Sequence, residues 1–366
     1  MPAPKKSSKK SASPAALDQA RADVLEQFLA DMNRTHPGEV TRLDDETHTD
    51  VEAISTGAIE LDVALGAGGF PRGRIIELFG PFGGGKTSLA LAVAGNCQRG
   101  GGNVAFIDAE HALNLELALA MGVNPHTMVI YQPTSGEDAI EMTRQMATSG
   151  AFDMIIVDSV AQLTPEAELK AEVTQQHMGL HARLISKFMR IITEPVATTN
   201  TMLVLINQVR SNLQAYGAPE TSTGGQAIKF SASVRIEVRS SGSDQIKDSS
   251  GEVIGQTCRV TVRKNKFGPP HRKAEYDLIF GEGIRGSSSL LGAAEKLGLV
   301  TRSGSSYTDA STGERIAIGK ENAKTRLDED AELAARLTAL VYLALSHRDV
   351  PVAELVDLLP APNPEE

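Results

Sequence analysis

From Val51 to roughly Arg285 the chain alternates short aliphatic runs with stretches of helical period, the pattern of strands each followed by a covering helix. Strands buried on both faces read as nearly continuous aliphatics. The runs Arg74 to Phe79, Asn103 to Asp108, Met154 to Asp158 and Met202 to Asn207 are therefore expected to build a largely parallel, twisted sheet flanked by helices, an α/β fold. Helices are expected from Thr87, from His111 and from Gly136, the last capped by Ser135 with Glu137 and Asp138 in its first turn. A later set, Ser233 to Arg239, Cys258 to Lys264 and Ala274 to Phe280, alternates at period two and is expected to be antiparallel. Ser240 to Gly255, rich in Ser, Gly and Asp, reads as a hairpin loop between them.

The flanks carry different patterns. Residues 1–16 contain Lys, Ser, Pro and Ala with almost no large apolar side chain, so burial cannot offset the entropy of ordering them and a disordered basic tail is expected. Lys5, Lys6, Lys9 and Lys10 there either touch phosphates or stay solvated. In residues 17–50, a helix to about Asn33 gathers Leu17, Val24, Phe28 and Leu29 on one face, and an acidic stretch from Asp44 to Asp50 links it to the core at 51–285. Residues 286–358 read as a small α+β C-terminal domain with helices near Leu290 to Leu297 and Glu332 to Ser346, and 359–366 as an acidic, Pro-rich tail.

Composition narrows the class. A chain of 366 residues is long enough for two or three domains, and 41% hydrophobic with 22% charged residues is ordinary for a globular protein. A net charge of −10 argues against a protein that coats nucleic acid through bulk electrostatics, so any such contact must come from local basic loops. Cys97 and Cys258 have neither CxxC spacing nor clustered His, which argues against disulfide and zinc sites and for a reducing, cytoplasmic setting. No apolar run approaches the roughly 20 residues of a membrane helix, and no membrane partner is expected.

The strongest chemical signal is Gly80-Pro81-Phe82-Gly83-Gly84-Gly85-Lys86-Thr87, which fits GxxxxGK[ST] between a predicted strand and a predicted helix that continues through Ser88. Glycines let backbone N–H groups turn toward phosphates, the helix N-terminus adds partial positive charge, and Lys86 reaches the β and γ oxygens. Thr87 is expected to ligate Mg2+, with ATP as the nucleotide. Four aliphatics delivering Asp158 to the sheet edge have the Walker B form, which assigns Asp158 to the magnesium shell. Hydrolysis needs a group to orient or deprotonate water. Glu110, just beyond the strand ending at Asp108, is the candidate; its competing role is to cap the helix that follows.

Several further segments occur in one order: Ser55-Thr56-Gly57, Phe106 to Leu113, Ile156 to Ala161, Met178-Gly179-Leu180, Ile206-Asn207-Gln208, Thr223-Gly224-Gly225 and Lys264-Asn265-Lys266. In that order they closely resemble the bacterial RecA recombinases, over about Val51 to Arg285 and more weakly in both flanks. The resemblance implies a RecA-type ATPase core acting in homologous recombination and DNA repair. Such a protein polymerises on single-stranded DNA as a helical filament, pairs it with homologous double-stranded DNA and exchanges strands. It makes Glu110 the general base and Gln208 the γ-phosphate sensor. Lys264 and Lys266 become residues that reach a neighbour's ATP in trans, and Asn114 and Pro270 nucleotide contacts. Two loops, about Thr164 to Met178 and Val209 to Gly225, are similar to the family's DNA-binding loops. By the same implication DNA contacts fall to Met178, Gly179, Arg183, Arg190, Arg210, Tyr216, Gly224 and Gly225. Read without the family, Arg183 and Arg190 are a solvated helix face and Tyr216 is packing.

The chain also departs from the family pattern. Phe82 and Gly83 replace the usual Glu-Ser, Asn114 stands for Asp, Leu117 for a Tyr, Tyr216 for a Phe, and the second loop is one residue shorter. Base recognition and hydrolytic coupling are expected to differ accordingly. The rival readings are a hexameric helicase-like motor or small-molecule kinase, and a non-hydrolysing scaffold that binds ATP and DNA.

Overall fold

The computed structural model describes residues 14–36, 40, 42, 51–171, 179–210, 221–222, 225–347, 355 and 358. Two compact units divide at Val51 and Glu52. The first contains helix α1 (Pro14–Thr35), so Pro14 to Ala16, expected in the disordered tail, are helical, while residues 1–13, the acidic stretch Asp44 to Asp50 and the tail at 359–366 lie outside the described residues.

In the second unit, helix α2 (Ile59–Leu65) precedes strand β1 (Ile75–Gly80) and helix α3 (Lys86–Arg99). Then follow β2 (Val104–Asp108), α4 (Leu115–Ala120), β3 (Met128–Tyr131), α5 (Gly136–Ser149), β4 (Met154–Asp158), α6 (Leu180–Thr198) and β5 (Met202–Arg210). Four further strands are β6 (Val234–Arg239), β7 (Val253–Asn265), β8 (Lys273–Ile279) and β9 (Gly283–Arg285). Their order in the sheet is β9-β8-β7-β6-β1-β5-β4-β2-β3. Pairing is parallel from β6 through β3 and antiparallel from β6 through β9.

The largely parallel sheet is as expected, with two corrections. Within Ser240 to Gly255, expected as a hairpin loop, Gln245–Lys247 forms a short strand antiparallel to β7, which already begins at Val253. Strand β6 belongs to both halves, parallel to β1 and antiparallel to β7. The helix expected from His111 begins at Leu115: His111 has φ 54, and the Asn114 side chain accepts from Leu117 N as the cap. The helix from Gly136 is capped by Ser135 as read.

Alternation along the central strands sorts side chains to two cores. Ile76, Leu78, Val104, Phe106, Ile156, Val204 and Ile206 pack with α3 on one face, and Ile75, Ala105, Ile107, Ile155, Val157, Leu203 and Leu205 with α5 and α6 on the other. Each fully buried aliphatic contributes about 1.5–3 kcal/mol. The rigid sheet they hold presents the carboxyl ends of β1, β2, β4 and β5 side by side.

Helices α7 (Gly286–Lys296), α8 (Lys320–Glu329) and α9 (Ala331–Ser346) surround a third core with an antiparallel sheet of β10 (Val300–Ser303), β11 (Ser306–Asp309) and β12 (Arg315–Ile318). The expected C-terminal helices are present, and α8 was not expected. Among the described residues no helix is long and apolar enough to cross a membrane.

A buried carboxylate ties α3, α2 and α9 together. Asp62 accepts from Ser55 Oγ at 2.6 Å, Thr56 N at 2.9 Å, Thr56 Oγ1 at 2.7 Å and Tyr342 OH at 2.9 Å, while Asn96 near the end of α3 donates to Ser55 O at 2.7 Å. Burial outweighs these donors and raises the Asp62 pKa from 3.8 to about 6. The folded chain therefore holds the proton more tightly than the unfolded one. This contribution to stability is fully present below 3.8 and lost as pH rises through about 6. Asp62→Asn should destabilise the protein at pH 4, and the deficit should shrink by about 2–3 kcal/mol between pH 4 and 7. Denaturant melts across that range test this; a constant deficit would contradict it.

Candidate nucleotide site

Strand β1 ends at Gly80, where a Cβ would lie 2.1 Å from Val238 O; only glycine lets the chain turn there against β6. The loop climbs through Phe82, which is 93% exposed, and returns to Gly85, whose left-handed φ of 90 starts α3. Lys86 then folds back under the loop, its Nζ donating to Pro81 O at 2.7 Å and Gly80 O at 3.2 Å. Burial lowers its pKa, and the nearby Asp158 and Glu110 charges oppose that shift. A buried ammonium satisfied only by carbonyls is matched to an incoming anion.

Thr87 Oγ1 donates to Asp158 Oδ2 at 2.7 Å, which joins the start of α3 to the end of β4. Burial raises the Asp158 pKa to about 6, with Thr87 opposing and the Glu110 charge adding to it. Asp158 pairs in register with Asp108, and the peptide after Asp158 is cis. Asp108 is spent locally, accepting from Ala112 N at 3.1 Å, Leu113 N at 3.3 Å and Gln132 Nε2 at 3.1 Å.

Glu110 does not cap α4, since Asn114 does. Its Oε1 accepts from Ser159 Oγ at 2.7 Å and from Gln208 Nε2 at 2.9 Å. Behind Gln208, Asn207 Nδ2 donates to Glu77 Oε1 at 2.9 Å within the sheet, and Glu77 forms an ion pair with Arg235.

These groups border a cavity of about 490 Å³. Phe82 to Ser88, Glu110, Asp158 and Gln208 line it, as do Leu117, Met121, Ile206, Gln256, Leu278, Ile279, Phe280 and Gly281. Apart from Leu117 and Ile206, the second group carried no sequence signal. Those from Gln256 onward lie on or just beyond strands far along the chain, and only the sheet order brings them to the loop. Gly80 and Pro81 contribute carbonyls to Lys86 rather than lining. Asn114 is outside the lining and occupied as a cap.

Lys264, Lys266 and Pro270 also stand outside the cavity. Lys264 Nζ donates to Lys229 O at 2.8 Å and Phe230 O at 2.9 Å, and Lys266 and Pro270 are exposed. Arg183 and Arg190 are exposed on α6 with Lys187 between them. Gly225 lies against the start of that helix, where an added Cβ would be 3.7 Å from Ala182 Cβ, and Gly179 is its N-cap with φ 84. Met178, Tyr216, Gly224 and the side chain of Arg210 fall outside the described residues. Among the described residues no His, Cys, Asp and Glu cluster forms a ready metal cage.

A family model described as the RecA N-terminal domain matches residues 23–285, and one described as the RecA C-terminal domain matches 288–346. Similar curated proteins include the "Protein RecA" of Thioalkalivibrio sulfidiphilus, 44% identical over 324 residues that cover 88% of this chain and 93% of that protein. The "Protein RecA" of a Caulobacter species is 43% identical over 326 residues, covering 88% and 90%. That of Helicobacter hepaticus is 41% identical over 355 residues, covering 96% and 99%.

Proposed function

The chain belongs to the RecA family, and from that membership we propose that it is an ATP-dependent recombinase. It polymerises on single-stranded DNA as a helical filament, pairs that strand with homologous duplex and exchanges strands, with hydrolysis of ATP stimulated by DNA. The observation that carries the reading is the convergence of Lys86, Thr87, Asp158, Glu110 and Gln208 on one cavity below the loop.

Each role follows from the chemistry of the side chain. The loop amides and Lys86 take the phosphates. Thr87 Oγ1 and Asp158 Oδ2, 2.7 Å apart, offer the hard oxygen donors that suit Mg2+, with Asp158 acting through water. Bound there, the ion supplies neutralisation of charge on the β and γ oxygens. Glu110 orients the attacking water and accepts its proton, held in place by Ser159 and Gln208. Gln208, near the end of strand β5 before the second loop, offers an amide to the γ-phosphate and so links nucleotide state to that loop. Arg183 and Arg190, with Gly179 and Gly225 at the head of the same helix, form a local basic face for the DNA backbone together with Met178, Arg210, Tyr216 and Gly224. Lys264 and Lys266 act across the filament interface, in keeping with their place outside this chain's own cavity. Asn114 and Pro270 complete the nucleotide contacts in the assembled filament.

Adding single-stranded DNA should raise steady-state ATP turnover; turnover indifferent to DNA would overturn the reading. In the same assay, Lys264→Ala subunits mixed into wild type should lower activity in proportion to mixed interfaces. Activity that simply tracks the wild-type fraction would remove the role in trans.

A further inference from the structure

Three consecutive glycines, Gly83 to Gly85, leave that half of the nucleotide loop no side chain of its own with which to anchor itself; Lys86 holds only the Gly80 and Pro81 carbonyls. At Gly83 φ is 72 and an added Cβ would meet nothing within 4 Å, so neighbouring atoms do not wedge this residue either. Its carbonyl is nevertheless held. Gln256 Nε2, from β7, donates to Gly83 O at 3.0 Å, and Gln256 Oε1 accepts from Ser240 Oγ at 2.9 Å. Ser240 Oγ also lies 3.5 Å from Gly83 O, but its single hydrogen is directed to the shorter contact.

We propose that Gln256, oriented by Ser240, is a positioning residue that braces the glycine-only loop for ATP. The C=O of Gly83 and the N–H of Gly84 belong to one planar trans peptide and point in opposite directions. Holding the carbonyl therefore fixes the direction of the Gly84 amide in the wall of the cavity. Without the brace, three glycines must be ordered by the nucleotide itself, and glycine loses more backbone freedom on ordering than any other residue. The cost falls on binding and not on the chemical step, because Glu110, Asp158 and Gln208 are held by separate hydrogen bonds. Ser240 matters only through Gln256, since an amide without that contact is free to rotate away from Gly83.

This rests on the loop being the ATP site, and the experiment separates the two claims. A fluorescent ATP analogue is titrated into wild type, Gln256→Met, Ser240→Ala and the double variant, and DNA-stimulated turnover is measured against ATP concentration. Gln256→Met keeps the length of the side chain but donates nothing. It should raise both the analogue Kd and the KM for ATP by about three- to tenfold, with kcat within about twofold of wild type. Ser240→Ala should give a smaller rise in the same direction, and the double variant should match Gln256→Met alone. Wild-type binding with an unchanged Kd in Gln256→Met, or additive effects of the two substitutions, would overturn the brace and leave the ATP site standing. A wild type that does not bind the analogue would remove both.

Discussion

Lys86→Ala is expected to abolish ATP hydrolysis, lowering turnover by about a thousandfold or more, while the melting temperature stays within about 3 °C of wild type. The two halves of this result have separate causes. Lys86 Nζ is buried, bonded to the Gly80 and Pro81 carbonyls, with no ion pair among the described residues. Its desolvation works against the charge, as its lowered pKa records. Removing it relieves a buried cation at the loss of two hydrogen bonds to a loop, so the empty protein should lose little stability. The phosphates lose a direct charge on the β and γ oxygens in a site of low dielectric, where such a charge acts most strongly. Steady-state ATPase and a thermal melt of the same preparation check both halves. Retained turnover would reject the site assignment, and a collapsed melting temperature would show that Lys86 holds the loop together.

Glu110→Gln should lower the hydrolysis rate by about 10²- to 10⁴-fold while ATP affinity stays within about threefold. The substitution is informative because glutamine keeps the oxygen that accepts from Ser159 and Gln208, and so preserves the packing around position 110. Only the capacity to take a proton is lost. Single-turnover hydrolysis with saturating ATP, beside an independent binding measurement, separates the outcomes. Near-normal hydrolysis would leave Glu110 as a structural link between β4 and β5 and return the search for a base to Asp158, the other carboxylate lining the cavity.

The site was legible in uneven parts, for reasons that lie in chain geometry. Loop, lysine and threonine share eight consecutive residues, so their spacing on a strand–turn–helix unit states the chemistry locally. Asp158 needed the additional rule that an aliphatic strand delivers its last residue to the edge of the sheet. Glu110 was left between two roles, because whether it caps a helix depends on where that helix begins. The positive φ of His111 and the Asn114 cap moved that start to Leu115 and left Glu110 facing Ser159 and Gln208. Strand β3 was not read from the sequence: Met128-Val129-Ile130-Tyr131 is an apolar run, but one of only four residues, and it lies part-exposed at the edge of the sheet.

By itself, the sequence determined the phosphate loop, the run of parallel strands and the family, since each is written in spacings of a few residues or in an ordered set of short segments. Only the tertiary structure decided that β6 is the hinge between parallel and antiparallel halves. It also brought Gln256 and Leu278 to Gly281, with no motif of their own, to the wall of the cavity. Their place follows from which strands lie side by side, and that order is set by burying two apolar faces at once. No local pattern encodes it. The loop with which the chain announces its chemistry is therefore braced by residues more than 150 positions away, which the amino-acid sequence leaves unmarked.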